Sequence, residues 1–119
     1  MNRVNDHCDE FVADCRVRQL ADLFAHTWNP VVLLALRAGA RRRGTLREQI
    51  GGISDKVLTD TLRRLQDSGL VTRRAYAEAP PRVDYALTPL GESVVDGPLH
   101  ALGAWVSEHG DELSGAPRP

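Results

Sequence analysis

Apolar positions recur at helical spacing along most of the chain and at alternate positions in two short stretches. The clearest pattern lies in residues 52–74, GISDKVLTDTLRRLQDSGLVTRR. Leu58, Leu62 and Leu65 follow one another at intervals of four and three, which puts them on one face of a 3.6-residue helix. Lys56, Thr59, Asp60 and Arg63 fall off that face. Ser54 stands where a cap accepts a bond from the first free backbone N–H groups. Gly69 suits the left-handed residue that ends a helix. From Leu70 the pattern alternates, predicting a strand over 70–77, and RVDYAL at 82–87 predicts a second. Glu78-Ala79-Pro80-Pro81 between them is a stiff loop.

Upstream, Val12, Leu20, Leu23 and Phe24 form a stripe that predicts a helix over 16–25. Residues 26–30 break it. Pro30 fits a first helical turn, where its missing N–H costs nothing. VVLLALRA at 31–38 predicts a buried central helix, too short for a membrane and ended by Gly39. Arg41-Arg42-Arg43-Gly44 is a basic connector. Thr45 caps a short helix over 46–50, with Glu48 completing a weak capping box. Gly51-Gly52 turns the chain into the helix described first. Downstream, Thr88 and Pro89 open another helix. Leu90, Val94, Val95, Leu99, Leu102, Trp105 and Val106 give it an apolar face through to about residue 113, with a kink or division at Gly97-Pro98. This order is helix, turn, helix, then a β-hairpin wing. The expected fold class is α+β and mainly helical: a winged helix-turn-helix with N- and C-terminal dimerisation helices. The expected layout is a polar arm at 1–14, that domain at 15–113 and a disordered tail at 114–119.

Charge changes the picture. The 119 residues carry a net −1, which does not by itself suggest a polyanion partner. Residues 37–82, however, hold eleven basic and five acidic side chains, while the rest hold four basic and eleven acidic. A basic middle between acidic ends is the asymmetry expected when one region meets nucleic acid. A helix that turns Ser54, Lys56, Thr59 and Arg63 outward fits a DNA major groove, although solvated surfaces also carry such residues. Arg43 in the basic connector and Arg82 at the wing complete the expected DNA-contacting set. The apolar C-terminal helix has little to cover in so small a core. Its expected partner is the same helix of a second subunit, which would present two reading helices about one DNA turn apart to a palindromic site.

These motifs together resemble the HxlR-type winged-helix transcription regulators, which are related in fold to the MarR regulators. The resemblance rests on Trp28 and VVLLAL, then GISDKVLT, LRRLQDSGLV and PPRVDYALTPLG in that order, spanning residues 15–105. It implies a homodimer that binds double-stranded DNA and controls nearby genes, often as a repressor and often in response to electrophiles, oxidants or small metabolites. Ser54, Lys56, Thr59 and Arg63 match the DNA-reading face, and Arg82 the wing. Cys15 matches a cysteine that some members use as a redox sensor. Arg16 and Arg18 would lower its pKa and Asp14 would raise it; a buried free cysteine is equally a small hydrophobe. Cys8 is a candidate resolving partner.

Other chemistry has little support. Phe24, His26, Trp28 and Trp105 are candidates to line a pocket for a flat apolar effector, with ordinary core packing as the alternative. No phosphate loop, Cys-x-x-Cys pair or Ser-His-Asp arrangement is present, and the four histidines lack metal-ligand spacing. No enzymatic activity, cofactor or metal is expected. The acidic N-terminus lacks a signal-type apolar run, and no run approaches the ~20 residues of a membrane span. Cytoplasmic location with reduced cysteines follows as the expectation. The alternative to DNA reading is a winged-helix module used only for protein contacts.

Overall fold

The computed structural model of the chain describes residues 16–114. Six helices and three short strands run in the order α1 (Arg16–Leu23), α2 (Trp28–Ala35), β1 (Arg41–Arg42), α3 (Arg43–Ile50), α4 (Asp55–Asp67), β2 (Val71–Tyr76), β3 (Arg82–Leu87), α5 (Pro89–Val94) and α6 (His100–Ser114). A π-helical turn, Val95–Leu99, joins α5 to α6. This is a winged helix-turn-helix: α3 and α4 are its two helices and the β2–β3 hairpin is the wing.

The core is aliphatic. Val32, Leu33 and Leu36 meet Leu46 of α3, Leu58, Leu62 and Leu65 of α4, and Val95 and Leu99 of the π-helical turn. Each of the three α4 leucines is at most 1% exposed. A polar stitch crosses this core. Asn29 donates to the Leu23 carbonyl at 3.0 Å, satisfying the C-terminus of α1, and accepts from Arg64 at 3.5 Å. Arg64 also donates to buried Thr61 at 3.1 Å. These bonds offset part of the cost of burying polar groups here, although Arg64 Nε is buried without a partner among the described residues.

Local signals set most boundaries. The Ser54 hydroxyl accepts from the Val57 N–H at 3.1 Å, capping α4. At its other end Gly69 takes φ +81°, with Leu70 N–H donating to Leu65 O and Gly69 N–H to Gln66 O. That double bond is a Schellman stop, and a side chain at Gly69 would strain it. Thr88 caps α5 by accepting from the Gly91 N–H at 3.0 Å, and its hydroxyl donates to the Gly69 carbonyl at 2.7 Å.

The connector, the start of α3 and the central helix differ from expectation, whereas the expected division at Gly97-Pro98 is present. The connector at Arg41-Arg42 is a strand: Arg41 pairs with Tyr85 and Arg42 with Asp84, giving a three-stranded antiparallel sheet of order β1-β3-β2. α3 therefore begins at Arg43, with extended Arg42 at its N-cap, and Thr45 lies inside the helix rather than capping it. The central helix starts at Trp28 and ends at Ala35, after which the chain tightens into i→i+3 turns up to Gly39. Leu34 on that helix is 46% exposed, so its burial is one-sided. The division at Gly97-Pro98 takes the form of a widened turn, which accommodates a proline that has no N–H to donate.

The second half of the C-terminal helix leaves the core. Val95 and Leu99 are buried, yet Leu102, Trp105, Val106 and Leu113 are between 48% and 69% exposed. Their spacing of three, one and seven lines them along one side of α6. No helix among the described residues is long and apolar enough to cross a membrane.

Candidate nucleic-acid interface

The apolar face of α4 is wholly occupied by the core, so its opposite face is turned outward. Lys56 projects from the first turn with its side chain 85% exposed, meeting Asp60 one turn on at 3.1 Å. Exposed pairs of this kind are weak and exchange readily for a phosphate. Arg63 lies two turns further along and is exposed. Ser54 is exposed but its oxygen is engaged in the cap.

Between α4 and the wing is a recess of about 230 Å³, lined by Thr59, Arg63, Gln66 and Asp67 of α4 and by Arg73 and Tyr85 of the sheet. Arg73 pairs with Tyr85 across the hairpin, so both side chains stand on the sheet face that looks toward α4. Arg63, Arg73 and Arg74 make no ion pair among the described residues. Arg73 and Arg74 were not singled out by sequence reasoning. The available signal was the basic run Arg73-Arg74 directly after a helix that already carries Arg63.

Two arginines on α3 behave differently. Arg43 donates from Nη1 to Asp55 Oδ1 at 2.9 Å and from Nη2 to the Asp55 carbonyl at 2.7 Å and to the Thr59 hydroxyl. Arg47 donates to Asp55 Oδ2 at 3.2 Å and to the Ile53 carbonyl at 3.4 Å. The Arg43 hydrogen bond chiefly holds the Asp55 carboxyl below its ordinary value; desolvation opposes it, and the charges of Arg47 and Arg43 each add a weaker lowering. The three side chains keep a net positive charge at neutral pH.

Arg82 begins β3 and is folded back on the wing. Its guanidinium stacks over Tyr76 at 4.1 Å and lies 3.8 Å from Glu78 and 3.6 Å from Asp84. The four aromatic candidates have differing surroundings. Phe24 and Trp28 pack partly buried against the core, His26 is exposed, and Trp105 is 48% exposed and stacked on His109. Neither the recess beside α4 nor a second, lined by Gln19, Asp22, Leu23 and Ser68, includes any of them. Cys8 and Cys15 lie outside the described residues, as do the arm and most of the tail. No group of three potential metal ligands occurs among the described residues.

The family model for HxlR-like helix-turn-helix proteins matches residues 23–114. The chain belongs to the HxlR-like helix-turn-helix family. This HxlR-like chain is 40% identical over 96 residues to the HTH-type transcriptional regulator YtfH of Escherichia coli (strain K12), covering 81% of the chain and 75% of that protein. It is 38% identical over 112 residues to the regulator sll1512 of Synechocystis, covering 92% and 83%. Its fold is similar to the solved structure of the transcriptional regulator ytfH of Salmonella typhimurium, with a TM-score of 0.71 at 35% identity over 89% of this chain and 94% of that one. It is also similar to the redox regulator HypR in its reduced form, with a TM-score of 0.76 at 26% identity over 83% and 97%. The HxlR-like chain is thus a transcriptional regulator with a helix-turn-helix DNA-binding domain, and not an enzyme.

Proposed function

We propose that the chain is a sequence-specific repressor that binds double-stranded DNA as a homodimer, with α4 in the major groove. The observation that carries this reading is the outer edge of α4 and the wing. There Lys56, Arg63, Arg73 and Arg74 are exposed, and the three arginines lack ion-pair partners among the described residues. Lys56 and Thr59 face base edges, and the arginines meet phosphates on either side. Arg82 reaches the backbone only by leaving Glu78 and Asp84.

The apolar stripe of α6 supports the dimer. A row containing Leu102, Trp105 and Val106 is the kind of exposed surface that marks a protein interface. A twofold pair would set two α4 helices about 34–36 Å apart and read a palindromic operator. Salt tests the DNA contact directly. A regulator meeting several phosphates loses affinity steeply as counterions compete, by about 10³-fold or more between roughly 50 and 200 mM salt for six or more contacts. Weak binding that is flat with salt would instead mark a module for protein contacts.

Response to oxidant is the second part of the proposal, supported by the likeness to HypR, solved in reduced and oxidised forms. Cys15 is the sensing thiol. Cys15→Ser is expected to keep DNA affinity and lose its response to diamide; an unchanged response removes Cys15 from the account.

A further inference from the structure

Arg43 lies beside the reading helix half-exposed with its guanidinium engaged by α4, and its contacts suggest a different task from that of the free cations. We propose that Arg43 is a positioning residue for base reading: it fixes the first turns of α4 against α3 and biases the Thr59 hydroxyl toward donating to base edges. This rests on the reading that α4 enters the major groove.

Arg43 and Arg47 stand one turn apart on α3 and take the two oxygens of Asp55 from the same helix. Arg43 then extends past Asp55 to Thr59, one turn further into α4. A guanidinium is a rigid planar fork, so bonding the first two turns of α4 at three points leaves them little freedom to tilt. A threonine hydroxyl has one hydrogen and two lone pairs. Nη2 occupies one lone pair, so the hydroxyl hydrogen is turned away from the guanidinium. The positive charge beside the oxygen also disfavours an approaching amino group. Thr59 is thereby suited to base edges that accept: N7 and O6 of guanine, N7 of adenine and O4 of thymine, rather than the amino groups of adenine and cytosine. Arg43 itself is 35% exposed in its side chain, against 85% for Lys56.

The test uses the full chain, duplexes enriched from a random pool, and the same duplexes with an amino-bearing edge placed opposite Thr59. Arg43→Ala and Arg43→Lys are both expected to shrink the affinity ratio between the two duplexes by roughly tenfold while leaving the slope of affinity against salt unchanged. Lysine keeps the charge but not the fork. Thr59→Val, nearly isosteric, keeps the Asp55 grip and is expected to lose the same discrimination, which covers the case in which Arg43→Ala fails to fold. Arg43→Ala with the ratio intact and the salt slope reduced by about 1, restored by Arg43→Lys, would show a plain phosphate contact and overturn the proposal. Lys56→Ala and Arg63→Ala with unchanged affinity and ratio would overturn the groove reading itself, and the positioning role with it.

Discussion

Asp55 lies between two guanidinium groups, and this sets how acid acts on the helix-turn-helix. Its carboxyl is held below the ordinary 3.8 by the Arg43 hydrogen bond. A depressed folded pKa means that the ionised clamp stabilises the fold above 3.8 and that this contribution is lost as pH falls through the lowered value. The melting-temperature gap between the protein and Asp55→Asn is therefore expected to hold constant from about pH 8 to 5 and to close below about 3.8. A gap that widens toward acid would contradict the clamp. Among the wing residues, Arg82→Ala is expected to weaken binding to all duplexes alike, measured by anisotropy on enriched and random DNA. Changes at Lys56 alter sequence preference in the same assay.

Elements show where the sequence was legible. Ser54, Leu58, Leu62, Leu65 and Gly69 announced α4 because caps, stripe and stop all act within a few residues. Leu62→Ala is accordingly expected to cost about 2–5 kcal/mol in urea unfolding, since the side chain is 1% exposed. Thr88 and Pro89 were readable for the same reason. Arg41-Arg42 was not, because a two-residue strand has no alternation and its partner, Tyr85-Asp84, lies more than forty residues away. The Arg43 grip on Asp55 and Thr59 was hidden likewise, and Arg43 read simply as one more cation for DNA. Gly91 carries a constraint that only packing reveals. A Cβ there would sit 2.1 Å from the Leu70 carbonyl oxygen, so α5 touches the α4–β2 turn backbone to backbone. Gly91→Ala is expected to destabilise by about 1–3 kcal/mol in the same unfolding experiment; a neutral result would mean that this junction shifts freely.

At the scale of the molecule, one half of the C-terminal apolar face closes the core and the other half is uncovered. The sequence showed the whole stripe from Leu90 to Val106 but not where burial stops, because helical periodicity is the same whether a face meets its own domain or a second copy. With Trp105 at the middle of the uncovered half, Trp105→Glu is expected to weaken dimerisation about tenfold or more in analytical ultracentrifugation. The central claim is that a twofold pair presents two α4 helices to one duplex. Footprinting on duplexes enriched from a random pool tests it most directly. Two protected half-sites related by a dyad and centred about 10–10.5 base pairs apart are predicted. An enriched pool with a single asymmetric footprint, or no enrichment at all, would contradict it.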